Sequence, residues 1–390
     1  MAEKEAHVGL RVDEEALERI DVKLVPNFVY WLTLLVAVIG VSSAGSMFQE
    51  VDEVSPILRA SYRLQVTSIV LVIPAVVQWC QAKPDLRAMF VSKKSLFTIF
   101  MSGLFVGAHF ACWVASLDLT TLTHSLLFVT SHPLVIVVGM LMGHRLHKYV
   151  VLPLYPLTEG GRDACEQIGL AAVQEPSRVE IFGACLGFTG AGLTLLDMGS
   201  KQGRHTVSAE GDGLAFLGAV FFVLYMVCGR VLRTAGMPLF VYAFPVTFLG
   251  SLVLLPFSAW LETRSLSDLG PTGWHGSPRL LVWFFALALV AGIAGHTGMN
   301  FVLIRLSPLV ISTAATTEPV FGTLIGYMLF NNDFPSTWTF VGGAVLLMGL
   351  VLVVHGSGVR EKEQAEVVEK QDEEEGLSEA RETEIELLVK

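Results

Sequence analysis

Ten stretches of about twenty mostly apolar residues dominate this chain. That is the length an α-helix needs to cross the roughly 30 Å hydrocarbon core of a bilayer. They span 27–48, 54–79, 95–117, 122–142, 179–198, 213–232, 237–260, 280–303, 308–330 and 338–355. Inside lipid the backbone must satisfy its own hydrogen bonds, which leaves helices or a closed barrel. Runs this long without apolar/polar alternation are helices, so the chain is expected to be an all-α integral membrane protein with ten transmembrane helices. Composition agrees, since only 16% of residues are charged, against roughly a quarter in soluble domains.

The net charge of −10 is a local feature. Residues 360–390 hold twelve acidic and five basic side chains, which reads as a solvated, disordered cytoplasmic tail over 357–390. No basic patch with interleaved aromatics occurs, so nucleic acid is not an expected partner. Cys80, Cys112, Cys165, Cys185 and Cys228 are scattered without ligand spacing, so neither a disulfide framework, a metal nor a cofactor is expected. Residues 1–26 are polar and carry acids, unlike a cleavable signal peptide. Positively charged connections stay cytoplasmic. With residues 1–26 inside, the inner connections carry Lys4, Arg11, Arg19 and Lys23, then Lys83, Arg87, Lys93 and Lys94, then Arg145, Lys148, Arg162 and Arg178. The first two outer connections carry none. Both termini are therefore expected in the cytoplasm.

The chain also resembles itself. His132-Pro133 in the fourth run aligns with Glu318-Pro319 in the ninth at an offset of 186 residues. Gly183 and Gly190 in the fifth are spaced as Gly342 and Gly349 are in the tenth. One residue of drift sets His109 of the third opposite His296 of the eighth. Five helices per copy is an odd number, so the second copy enters the membrane from the opposite side. Such inverted repeats give a transporter two near-equivalent conformations with the solute site between them.

Ser55-Pro56 with Arg63-Leu64, Gly183 with Gly190, Gly211-Asp212-Gly213, and Glu318-Pro319-Val320-Phe321 with Gly342 resemble the drug/metabolite transporter superfamily and specifically its EamA-like family. The resemblance covers nearly all of residues 27–356. It implies two inverted five-helix repeats, 27–200 and 211–356, and a cavity lined chiefly by the third, fourth, eighth and ninth helices. Two departures stand out. Gly143-His144 and Asn332-Asp333 occupy places where the family often has Gly-Glu, and residues 144–178 replace a short loop. Within that insertion, 163–173 is a candidate interfacial helix; insertion into a loop costs little.

Ionisable side chains in the hydrocarbon are costly and so mark function. His132 and Glu318 each lie roughly 16 Å along their helices, near the midplane. Each precedes a proline, which frees the carbonyl of Val129 or Ala315. Both are expected to bind substrate and to carry proton coupling. His109 and His296, with Trp113 and Asn300 one turn beyond them, are expected to line the solute site. Arg63 is expected to pair with a substrate anion or with Glu50, or to serve as an anchor. No second deep cation accompanies it, which argues against phosphorylated substrates.

A secondary transporter for a small organic metabolite is the reading that results. A facilitative exchanger without proton coupling, a channel and an intramembrane enzyme are the alternatives. The last lacks any H-E-x-x-H or other recognisable catalytic setting. Expected partners are the small-molecule solute and the lipid bilayer, with a homodimer left open.

Overall fold

The computed structural model describes residues 25–120, 122–146, 175–194, 196, 208–262, 268–329, 337–338 and 340–360. Residues 1–24, nearly all of the inserted loop with its candidate helix, and the acidic tail beyond residue 360 lie outside these; residues 357–360, expected as the start of the disordered tail, instead continue the last helix, where Ser357 and Arg360 bind the buried Glu180. Among the described residues every regular element is a helix, and nine helices are long and apolar enough to cross a membrane.

The first run is α1 (Asn27–Ser42) and α2 (Ala44–Gln49), interrupted at Ser43. Next come α3 (Pro56–Gln81), the short α4 (Pro84–Phe90) and α5 (Lys93–Leu119). The fourth run is α6 (Leu122–Val129) followed by α7 (His132–Leu146). The fifth is α8 (Arg178–Thr194), seventeen residues and so about 25 Å long; most of the remainder of that run lies outside the described residues. Then follow α9 (Ala209–Thr234) and α10 (Leu239–Leu261). The eighth run is α11 (Pro278–Ala286), a π-helical segment (Leu287–Thr297) and α12 (Gly298–Val302). The ninth is α13 (Pro308–Ala315) and α14 (Glu318–Leu329), and the tenth is α15 (Phe340–Arg360).

The helices pair in a regular scheme. α5 lies along α9, and α1 along the π-helical segment and α12. α3 packs on α10, and α7 on α13. α8 crosses α15 at glycines. A Cβ on Gly183 would sit 2.8 Å from the Gly349 carbonyl oxygen, and one on Gly190 2.7 Å from that of Gly342. Backbones this close are how helices associate in lipid, where no hydrophobic drive separates helix from solvent. Ile73, Phe97, Phe182, Trp260, Met328 and Val351 are more than half exposed, an apolar exterior suited to lipid rather than water.

Polar contacts tie the helix ends. Glu262, just past α10, accepts from the α3 amides of Ile57 (2.7 Å) and Leu58 (3.0 Å) and from Ser55 Oγ (2.7 Å). It thereby places a carboxylate on orphan N–H groups at a helix start. Arg59 donates to both oxygens of Asp118 (2.8 and 2.9 Å) and to the Phe48 carbonyl. Thr120 donates to Asp212 at 2.8 Å, so the Gly-Asp-Gly stretch joins the end of α5 to the start of α9. Glu180 is fully buried and binds the Ser177 amide, Ser357 and Arg360, closing α8 on α15. Glu262→Ala is expected to cost about 2 kcal/mol by stranding the α3 amides, seen as a lower melting midpoint of the detergent-solubilised protein.

Candidate functional site

The fourth and ninth runs break at equivalent places. The turn Thr130-Ser131 precedes His132-Pro133, and Thr316-Thr317 precedes Glu318-Pro319. Proline has no N–H to continue the ladder, and hydroxyls take over the carbonyls upstream of each break. Ser131 Oγ donates to the Phe128 oxygen at 2.6 Å, and Thr317 Oγ1 to the Ala314 oxygen at 2.6 Å. Thr130 Oγ1 donates to the Leu126 oxygen, four residues back, at 2.7 Å, and Thr316 Oγ1 to the Thr313 oxygen, three residues back, at 2.6 Å. The Ser131 and Thr317 contacts stand at the offset that relates Pro133 to Pro319.

His132 and Glu318, each opening the helix after its break, line one cavity with Arg63 from α3, His109 and Trp113 from α5, and His296 from the π-helical segment. Val41, Ala44, Val129, Phe222 and Met299 complete its wall. Of the helices expected there, the third, fourth, eighth and ninth all contribute; α1, α2, α3 and α9 contribute as well. Its volume is about 20 Å³, room for a water molecule rather than a metabolite, so admitting a metabolite requires the surrounding helices to move apart.

Aromatic and imidazole rings fill the surroundings. The His109 and His296 rings are 6.0 Å apart. Phe110 lies 4.9 Å from His296, and Phe222 lies 4.3 Å from His132. His109 Nδ1–H donates to the Gly218 carbonyl of α9 at 2.9 Å, which in the neutral ring leaves Nε2 as an acceptor. The Arg63 guanidinium sits 4.1 Å from the centre of the Phe110 ring, a cation–π contact. Glu318 lines the same cavity, while no ion pair joins Arg63 to Glu50 among the described residues. Arg59, one turn away, takes the ion pair with Asp118 instead.

Arg63 is 1% exposed, yet its Nε and Nη1 have no hydrogen-bond partner. The same holds for Trp113 Nε1, both ring nitrogens of His132 and Nδ1 of His296. Each such atom costs about 1–3 kcal/mol, and these six belong to four residues that line this one cavity, while others such as Asn300 Oδ1 and Ser312 Oγ lie outside it. Asn300 is placed differently. It donates from Nδ2 to the Tyr225 hydroxyl and receives Arg233 on its backbone oxygen, and it stands behind the wall rather than on it. Phe222, Phe110 and Tyr225 were not legible in the sequence as site residues, because an aromatic in an apolar run carries no signal of which face it occupies. Among the described residues no three His, Cys, Asp or Glu side chains are grouped to hold a metal ion.

The proline-broken ninth helix with its buried glutamate lies in a segment that is similar to a known family. Residues 209–355 match the EamA-like transporter family. The EamA-like segment begins at α9 and ends within α15, and so contains Phe222, His296, Asn300 and Glu318. Arg63, His109, Trp113 and His132 precede it. A crystal structure of a protein 16% identical in sequence shares the fold at a TM-score of 0.58, over 84% of this chain and 96% of its own. The shared fold therefore reaches well before the EamA-like segment. No curated protein matches the chain.

Proposed function

We propose that the chain is a secondary active transporter that moves a small organic metabolite across a membrane by alternating access. Protons are coupled through Glu318 and His132. Two inverted five-helix repeats, 27–200 and 211–356, with α8 as the fifth of ten spans, form the machine. The observation that carries this reading is the matched pair of proline breaks that brings His132 and Glu318 to one cavity. The helix pairing supports it. A two-fold axis in the membrane plane exchanges α5–α9 with the eighth-run–α1 contact and maps the pairs α3–α10, α7–α13 and α8–α15 onto themselves, which is the set of contacts described above. The π-helical segment supports it too, because wider turns shift register along a helix, in keeping with the one-residue drift of His296 relative to Pro319. Exposed apolar side chains support a bilayer setting, and the distribution of Lys and Arg supports both termini on the cytoplasmic side.

A cavity too small for a metabolite in this conformation suits a carrier, which rearranges to admit its solute, whereas a channel must at some point be open throughout. Purified protein in liposomes is expected to take up solute saturably and to accelerate uptake when the vesicles are preloaded with the same solute. Linear, non-saturating flux without counterflow would return the channel. Saturable exchange indifferent to a pH gradient would retain a facilitative exchanger and remove the coupling.

A further inference from the structure

The polar lining of the cavity is unbalanced, and the imbalance identifies a class of substrate, on the assumption that the cavity is the transport site argued above. Arg63 remains charged whatever surrounds it, and its Nε–H and Nη1–H have no acceptor. Trp113 Nε1–H has none either. These three atoms only donate. The groups facing Arg63 are Glu318 of α14, Tyr225 of α9, His109 of α5, and His296 of the π-helical segment, with His132 of α7 across the cavity. Glu318 is the one carboxylate among them. The rest of the wall is apolar or aromatic, from Val41, Ala44, Val129, Phe222 and Met299.

We propose that the cavity takes a small monocarboxylate, its carboxylate seated on Arg63 and the Trp113 indole N–H, and that one proton on Glu318 travels with it. Charge balance motivates the pairing. With the site empty, the Glu318 carboxylate offsets the Arg63 guanidinium across the cavity. With an anionic substrate on Arg63, a second carboxylate would leave the low-dielectric site net negative, at a cost of several kcal/mol. A proton on Glu318 restores neutrality, so both the empty and the loaded forms can change sides without carrying net charge. The apolar wall receives the hydrocarbon part of the substrate. Among the unpartnered atoms of the lining three can only donate and none can only accept, which favours an anion over an ammonium.

The test uses full-length protein in liposomes with radiolabelled pyruvate and lactate as monocarboxylates, alanine and phenylalanine as zwitterions, and glucose as a neutral solute, against protein-free vesicles. The expected result is saturable uptake of a monocarboxylate, accumulating about tenfold at a pH gradient of one unit and unchanged when potassium and valinomycin set the membrane potential. Arg63→Gln is expected to abolish it. Should that variant fail to fold, Glu318→Gln supplies the second arm. Its melting midpoint is expected to rise with added pyruvate or lactate equally at acid and alkaline pH, while the wild-type rise is larger at acid pH. Saturable uptake of alanine, phenylalanine or glucose with none of either monocarboxylate would overturn the substrate class and leave the transporter reading intact. Monocarboxylate uptake that responds to the potential would overturn the accompanying proton. No saturable uptake of any probe would sink the transport reading along with this one.

Discussion

Gly190→Ala is expected to lower the yield of monodisperse protein sharply, and Gly349→Ala to do the same, for one reason. An added Cβ at Gly190 would lie 2.5 Å from the Leu346 amide nitrogen, and one at Gly349 would lie 2.4 Å from that of Gly187. Both obstacles are backbone, which cannot rotate aside as a long side chain does. Relief requires α8 and α15 to move apart, which breaks the neighbouring contacts of Gly183 and Gly342 and strains the buried Glu180–Ser357 link beyond them. Overpacking of this kind costs about 3 kcal/mol or more. The control lies two residues along the same helix. Gly192 has nothing within 4 Å of its added Cβ, so Gly192→Ala is expected to be neutral or to stabilise by up to about 1 kcal/mol through helix propensity. Thermal melting in detergent, followed by size-exclusion chromatography, separates the cases. Equal behaviour of the three variants would mean that α8 does not pack on α15 in this way.

Glu318→Gln is expected to remove the dependence of uptake on a proton gradient while leaving the protein folded. The amide keeps the size and planarity of the carboxyl but cannot exchange a proton, and no other carboxylate lines the cavity to take its place. Gradient-driven accumulation is then expected to fall at least about tenfold, to the level found without a gradient. Exchange against preloaded solute persists, because it requires only that the loaded carrier change sides. The direction with pH follows. Wild-type uptake rises as the source compartment is acidified, and the variant's uptake stays level. A variant that still follows the gradient would assign the coupling to the histidines, and one that loses exchange as well would make Glu318 a substrate ligand in its own right.

Much of this was legible in the sequence because the bilayer narrows the options. Apolar runs of fixed length have one hydrogen-bonded solution, so nine long apolar helices and the shorter α8 fall where the runs are. The prolines at 133 and 319 mark the two equivalent breaks, while Pro74, Pro245 and Pro256 lie inside continuous helices, so proline alone does not decide a break. Gly183 with Gly190 and Gly342 with Gly349 were legible as a repeat, although nothing in their spacing revealed that the two pairs meet each other.

Side-chain neighbours across helices were not readable, because they depend on rotation about each axis and on which helix stands opposite. Arg63 and Arg59 are one turn apart and both deeply buried, yet only the packing of α3 against α5 gives Asp118 to Arg59 and leaves Arg63 over Phe110. Trp113 and Asn300 look equivalent in sequence. The π-helical segment precedes only the second of them, and Asn300 ends behind the cavity wall on Tyr225 while Trp113 ends on it. The sequence by itself determined that this protein is built of helices suited to span a bilayer, and it marked His132-Pro133 and Glu318-Pro319 as equivalent points, because local backbone chemistry and the thickness of lipid suffice for that. Only the tertiary structure decided that those groups share one cavity with an arginine whose Nε and Nη1 have no hydrogen-bond partner, because that follows from contacts between helices remote in the chain.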